Sequence, residues 1–169
     1  MRRCAFPLVL MGAAFVALLV GPSRRVQAGD DWLPVDPAEL KMTSEPKAPG
    51  APAINLYRQV DRDDKGTAST EHNYLRIKIL TEEGRKYANV EIPFDKGGYK
   101  VSGIRARTIR PDGTIANYEG KIYENTIVKS KSRKYLAKTF SMPEASVGSI
   151  IEYRFNYDFA GYDHSCQTT

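Results

Sequence analysis

Asp163, His164 and Cys166, near the end of the chain, are residue types that nucleophilic catalysis uses. They act together only when they are in hydrogen-bond contact beside a substrate cleft and an oxyanion site. On an extended chain, His164 and Cys166 would point to the same side with Cα atoms about 6.6 Å apart. Because a chain end rarely holds such a geometry rigid, we expect no catalysis there. Cys166 is better interpreted as a thiol that can form an intermolecular disulfide.

Metal binding and acid–base catalysis have weaker support in the sequence. Once a predicted export segment is removed, the imidazole and thiol ligands are His72, His164 and Cys166, whereas a structural zinc site takes four ligands at tight spacing. Asp112 and Glu152 have the chemistry of an acid–base pair, but their spacing does not place them together or in a cleft. The sequence therefore predicts no catalytic residue, no metal site and no cofactor.

Basic residues form the candidate interaction surface. Arg105 and Arg107 are two residues apart, so they share one face of a predicted strand, and other bases crowd a later segment among tyrosines. Such residues can contact an anionic glycan, a lipid headgroup or nucleic acid. Interleaved glutamates favour instead a hairpin whose lysines protect an edge strand from unwanted pairing. The candidate residues are Arg105, Arg107, Lys129, Lys131, Arg133 and Lys134.

Composition places the chain among ordinary globular proteins and argues against a nucleic-acid partner. The 169 residues are 41% hydrophobic and 27% charged, with a formal net charge of +5. Residues 1–28 hold four arginines and no acid, and removing them leaves 21 bases against 20 acids, a balance of +1. The basicity therefore belongs mainly to this N-terminal segment.

Residues 1–28 are predicted to be a secretory signal peptide. Arg2 and Arg3 precede an apolar stretch over residues 8–20, and residues 26–28 are of the kind that a signal peptidase reads. An apolar helix of this length rises about 20 Å, less than the roughly 30 Å hydrocarbon core of a membrane. We expect cleavage despite Arg24 and Arg25, no membrane span afterwards, and a periplasmic or extracellular protein.

Two regions of different character follow the predicted signal. Residues 29–53 contain half of the ten prolines, and proline cannot donate to a sheet ladder. We predict a tether with at most one short helix, in which Asp36 caps, Pro37 takes the first position and Glu39 reaches back to the cap.

Residues 54–160 are predicted to form an all-β domain, an antiparallel β-sandwich of about eight strands with no long helix. Apolar and polar residues alternate there, and turn signals recur about every ten residues, as at residues 82–84. Such strands bury one face and expose the other, which would leave Glu152 and Arg154 on a polar face. The opposite, inner face of the last strand would carry Tyr153, Phe155, Tyr157 and Phe159.

Several strings in this order resemble a bacterial domain of unknown function that stands N-terminal to transglutaminase-like domains in exported proteins. The resemblance implies a non-catalytic β-sandwich, with catalysis in a following papain-like domain that uses cysteine, histidine and aspartate. The strings are Trp32-x-Pro34-x-Asp36-Pro37 and residues 52–57, 76–85, 107–113 and 148–153. Positions that the resemblance marks as structural are Trp32, Arg76, Gly84, Pro111, Asp112, Gly113, Gly148, Glu152 and Tyr153.

The functional hypothesis is an exported, non-catalytic module that packs against or positions a neighbouring domain or an envelope protein. A second hypothesis is a ligand-binding module for peptide or glycan. A third is the N-terminal fragment of a larger cysteine-dependent enzyme, because the sequence ends at Thr169, before a catalytic domain could begin. On that hypothesis, residues 161–169 are a tail, truncated or frame-shifted.

Overall fold

A computed structural model of the protein describes residues 32–66, 68–129 and 134–160. The chain divides into two units, residues 1–33 and 34–169, and the fold given below is that of the second. Several predicted features lie outside the described residues: the signal segment 1–28, the tail 161–169 with Asp163, His164 and Cys166, and the basic residues Lys131 and Arg133.

A short helix, α1 (Pro37–Lys41), precedes the strands, as predicted. The Asp36 carboxylate accepts a hydrogen bond from the amide of Ala38 (2.8 Å), and the Glu39 carboxylate accepts one from the amide of Asp36 (3.4 Å). This reciprocal capping satisfies backbone donors that the first helical turn would leave without partners. Pro37 lacks such a donor and fits the first position.

Eight antiparallel strands form two sheets, which confirms the predicted fold class. The five-stranded sheet has the order β1-β2-β8-β4-β5 and the three-stranded sheet has the order β3-β7-β6. The strands are β1 (Ala53–Lys65), β2 (Ala68–Ile79), β3 (Asn89–Asp95), β4 (Tyr99–Ile109), β5 (Ile115–Asn117), β6 (Tyr123–Lys129), β7 (Lys134–Ser141) and β8 (Ile150–Ala160).

The hydrophobic core joins the two sheets through one face of each. Alternation along β2 and β8 brings their apolar side chains to the same face, where they meet those of β3 and β7. Tyr153 and Tyr157 are partly buried against this core and Phe155 lies in it, as predicted for the inner face of β8. The other buried members of the core cluster are Ile77, Ile79, Ala88, Val90, Ile92, Ala106, Phe140, Met142 and Ile151.

A 3-10 helix (Glu82–Ala88) connects β2 to β3, where only a turn was predicted at residues 82–84. This element has only seven residues, so the prediction of no long helix after residue 53 holds in this segment. A single short 3-10 element shows little periodicity. A Cβ atom added at Gly84 would lie 2.0 Å from the carbonyl oxygen of Pro52, so this close approach of two backbone segments requires glycine.

The face of the five-stranded sheet that points away from the core is called the outer face below. Its structure corrects the prediction that every strand exposes its polar side. Four charged residues at the centre of this face are buried rather than solvated, and the Glu152 side chain is 0% exposed. The reason is that residues 34–42 lie over this part of the sheet and contact it. The four residues are Arg76, Lys78, Arg107 and Glu152.

Candidate functional site: a buried charged cluster on the outer face

Glu152 lies at the centre of a cluster of polar side chains from three adjacent strands. The strand register sets Arg76 of β2 and Arg107 of β4 on either side of Glu152 on β8. One carboxylate oxygen accepts hydrogen bonds from Arg76 Nε and the Tyr74 hydroxyl, both at 2.5 Å, and the other accepts from Arg107 Nε at 2.5 Å. Charge-assisted bonds of this kind are stronger than neutral ones, so the cluster ties β2, β8 and β4 together.

Arg76 extends the cluster to the segment that covers it, residues 34–42, which we call the N-terminal strap. Its Nη1 donates to the carbonyl oxygen of Pro34 (3.1 Å) and forms an ion pair with Glu39 (2.9 Å). Glu39 is also the residue that completes the capping box of α1. One guanidinium group therefore binds Glu152 within the sheet and the strap above it.

Lys78, the next residue of β2 on this face, binds the strap at a second point. Its Nζ donates to the carbonyl oxygens of Leu40 (2.8 Å) and Gly148 (2.6 Å). Burial lowers the pKa of the Lys78 ammonium, because desolvation disfavours its charged form. The Leu40 side chain also approaches Gly113, where an added Cβ would lie 3.7 Å from Leu40 Cδ1.

The Tyr74 hydroxyl is held as a hydrogen-bond donor. Burial, together with the hydrogen bond to Glu152, raises the pKa of Tyr74 to about 12. Its ring contacts Tyr57 at a centroid distance of 5.3 Å, and the Arg154 guanidinium lies 4.3 Å from the ring centroid. The phenol is therefore protonated at neutral pH and packed from more than one side.

The chemistry of this cluster is ion pairing rather than proton transfer to a substrate. Arginine does not deprotonate in proteins, Tyr74 keeps its proton, and the fully buried Glu152 carboxylate offers no access to a ligand. Asp112, whose chemistry would suit an acid–base pair with Glu152, lies in the exposed turn between β4 and β5. Hydrogen bonds from Thr114 lower the pKa of Asp112, so the two carboxylates have separate structural roles.

The candidate basic residues divide between the two sheets. Arg105 and Arg107 lie on β4 of the five-stranded sheet, while Lys129 of β6 and Lys134 of β7 are register partners in the backbone of the three-stranded sheet. Arg105 is exposed, but Arg107 is buried in its ion pair with Glu152. The assignment of Arg107 to an exposed interaction surface is therefore corrected, because its side chain lies beside a buried carboxylate.

The remaining family-motif positions shape turns near the strap or pack in the core. Gly113 and Gly148 adopt φ values of +85° and +84°, which favour glycine. A Cβ added at Gly148 would lie 3.3 Å from Pro111, so these two turns touch. Tyr153 stacks on Phe155 in the core, with centroids 6.3 Å apart. Trp32 belongs to the other unit of the chain.

Tyr74, Lys78 and Glu39 were missed as partners of the cluster. A usable signal existed for the lysine: Arg76 and Lys78 alternate with Ile77 and Ile79, which is typical of a strand with two different faces. A charged row on one strand and a carboxylate on another can pair when the strands are neighbours. The sequence did not show that β2 and β8 are adjacent strands.

Neither metal ligation nor membrane crossing is indicated by the part of the chain that the structure describes. It contains no group of three or more His, Cys, Asp or Glu side chains that could hold a metal ion. No helix within it has the length and apolar character required to cross a membrane.

Comparison with known proteins gives one family and one solved structure. The family described as "Domain of Unknown Function with solved-structure structure (DUF3857)" matches residues 66–166. No curated protein matches the chain. The structure titled "putative protease", from Parabacteroides distasonis ATCC 8503, is similar with a TM-score of 0.57 and 11% identity. The similarity covers 65% of this chain and 23% of that chain, and it bears on the fold alone.

Proposed function

We propose, from the premise that this chain belongs to the DUF3857 family, that it is an exported, non-catalytic β-sandwich module. Its role is to pack against or position a neighbouring domain or partner protein. The neighbour that the family resemblance implies is a transglutaminase-like domain. The similar structure contains this fold as 23% of a longer chain, which supports a module that stands beside further domains.

The observation that carries this proposal is that the potentially reactive side chains bind one another. Glu152, Arg76 and Tyr74 bind one another at 2.5 to 3.3 Å in the protein interior. Removing one member of a buried ion pair is strongly destabilising, whereas the intact pair adds little net stability. Such a cluster is suited to holding strands and strap in one arrangement, which is what a positioning module needs.

Strand β6 offers an edge to which a neighbour can bind. It is one of the two edge strands of the three-stranded sheet, the other being β3, and edge strands present backbone groups that another chain can pair with. Ile127 and Val128 on this strand are each 52% exposed. Apolar side chains exposed on an edge strand can be covered by a partner, so we propose that the neighbour binds on this side of the sandwich.

Catalytic inactivity is tested on the purified protein with peptidase, amidase and transglutaminase substrates. We expect no turnover above that of a buffer blank. Cys166→Ala and Glu152→Gln variants are assayed in parallel. Turnover by the wild type that either substitution abolishes would contradict the proposal, because it would assign chemistry to this chain.

The positioning role is tested with the coding DNA that follows codon 169. If an in-frame cysteine–histidine–aspartate domain follows, its affinity for this module is measured with the two parts expressed separately. We expect saturable binding that Ile127→Lys weakens and that Val60→Lys, at an exposed position of β1, leaves unchanged. Equal binding by all three proteins would place the neighbour elsewhere than β6, and no binding would contradict the role.

A further inference from the structure

We propose that a cleft on the three-stranded sheet binds an uncharged oligosaccharide. The cleft has a volume of about 350 Å³ and lies where β3 begins, β7 ends and β6 begins. This volume is within the range of small-molecule sites, about 300–1,000 Å³. The cleft is separate from the buried cluster, so the inference goes beyond the proposed positioning role.

The strand register assembles a polar face with one aromatic side chain at its edge. Asn89 of β3 pairs with Ser141 of β7, and Glu91 of β3 pairs with Thr139, which in turn pairs with Tyr123 of β6. Residues directly opposite each other in adjacent strands share a face. These five side chains therefore project from the same side of the sheet, while the alternate positions face the core.

Tyr118 also lines the cleft, and its position is fixed from the core side. Its ring packs on Phe140 with centroids 5.1 Å apart, and its hydroxyl donates to the carbonyl oxygen of Lys121 (2.7 Å). The amide of Tyr118 donates to the carbonyl oxygen of Ala106 (2.9 Å). A Cβ at Gly120 would lie 2.8 Å from the Tyr118 ring, which leaves this connection little freedom. A wall fixed before binding reduces the entropy lost when a ligand binds.

The groups in the cleft match the chemistry of a sugar, which has a face of C–H bonds and an edge of hydroxyls. Tyr123 is 57% exposed, and the ring face opposite Lys121 can receive the C–H face of the sugar. Asn89 Oδ1 accepts a hydrogen bond from the Ser141 hydroxyl (2.8 Å), which fixes the amide. Its N–H groups have no partner in the described part of the chain and can donate to sugar hydroxyls, while Glu91 can accept from them.

Charge favours an uncharged ligand over an anionic one. Lys121 lies over the Tyr123 ring with its Nζ 5.6 Å from the centroid, and Glu91 carries the opposite charge on the same cleft. An anion would meet the carboxylate of Glu91, and a cation would meet the ammonium of Lys121. A peptide would pair with backbone groups along a strand edge, whereas the polar groups here project from the sheet face.

The test uses isothermal titration of the purified protein with cello-, xylo-, malto- and N-acetylated chito-oligosaccharides. We expect at least one of them to bind with a Kd below about 1 mM. Tyr123→Ala should weaken that affinity about tenfold, because it removes the stacked ring. The matched control is Tyr87→Ala, since Tyr87 is also an exposed tyrosine beside a lysine, with Lys86 Nζ 5.5 Å from its ring centroid, and this variant should bind like the wild type.

If Tyr123→Ala fails to fold, the variants Asn89→Ala and Glu91→Gln test the cleft independently. Each should weaken oligosaccharide binding several-fold. The proposal is overturned if no oligosaccharide binds, if the Tyr123 variant binds like the wild type, or if Tyr87→Ala loses affinity equally. A hexapeptide of alanine and glycine is titrated in parallel. Peptide binding that Tyr123→Ala abolishes, without binding of any sugar, would reassign the cleft to peptides and also overturn the proposal.

Discussion

Among single residues, Glu152 has the largest structural consequence, because three donors converge on a carboxylate that water cannot reach. A carboxylate taken out of water loses several kcal/mol of hydration, roughly, and only close opposite charges compensate. Arg76 and Arg107 supply that compensation from the two neighbouring strands. Substituting the carboxylate therefore leaves two buried guanidinium groups that have each lost an ionic partner.

We predict that Glu152→Gln lowers the free energy of unfolding by about 3–5 kcal/mol, the range found when one partner of a buried ion pair is removed. Urea-induced unfolding followed by circular dichroism measures this change. Glu144→Gln is the matched control, because Glu144 also pairs with an arginine, Arg110, but its side chain is 60% exposed. The control should lower the free energy by less than about 1 kcal/mol. If the two substitutions lowered the free energy of unfolding equally, the contribution of this ion pair to stability would not depend on its burial.

For single residues, the sequence predicted on which side of a strand a side chain lies better than it predicted whether that side chain is buried. Two-residue spacing correctly placed Arg105 and Arg107 on one side of β4. It did not show that Arg107 is covered while Arg105 is exposed. Burial of Arg107 depends on Glu152, which is 45 residues away in sequence, and alternation along one strand contains no information about such a partner.

Among the elements, α1 illustrates the difference between a local signal and a tertiary contact. Asp36, Pro37 and Glu39 predict the helix because all three act within one turn. The position of that helix on the sheet depends on Arg76 and Lys78, about forty residues later in the sequence. Composition therefore predicted a tether for the proline-rich segment, whereas in the structure residues 34–42 of that segment bind the outer face.

We predict that Glu39→Ala loosens the strap without unfolding the sheets. The substitution removes both the capping contact to Asp36 and the ion pair to Arg76. Loss of a capping interaction costs about 1 kcal/mol, so the exchange rate of the Leu40 amide, bonded to the Asp36 carbonyl, should rise about fivefold. Hydrogen exchange measured by NMR detects this change at individual amides.

Glu45→Ala is the control for the strap, because among the described residues the Glu45 carboxylate accepts a hydrogen bond only from the amide of Lys47, and both residues lie outside the strap. It should leave exchange at Leu40 unchanged. If Glu39→Ala instead accelerated exchange throughout β2 and β8, the strap would be part of the global folding unit. If Glu39→Ala accelerated exchange at no amide, the contact between Glu39 and Arg76 would not hold the strap.

In the whole molecule, strand number was predictable and strand order was not. Turn signals and alternation mark each strand locally, which is why an antiparallel sandwich of about eight strands was predicted. Strand β8 lies between β2 and β4, although the segments that form β3 to β7 separate it from β2 in sequence. Pairing between such distant segments depends on side chains that meet only in the folded state.

The shared core implies that the two sheets unfold together. Ile92 of β3 is 2% exposed and lies in the cluster that includes Ile151 of β8. Truncating a buried isoleucine to alanine lowers stability by about 2–5 kcal/mol through lost burial and the cavity left behind. We predict this loss for Ile92→Ala in urea unfolding, with equal loss of hydrogen-exchange protection in β7 and in β8 of the other sheet.

Ile127→Ala separates this effect from a general effect of isoleucine, because Ile127 is half exposed on β6. It should change the free energy of unfolding by no more than about 0.5 kcal/mol, as substitutions at exposed positions usually do. If Ile92→Ala reduced protection in β7 but left β8 protected, the three-stranded sheet would open on its own. The outer face, with its buried cluster and strap, would then form a separate stable unit, and a neighbour bound to β6 would contact the less stable half of the sandwich.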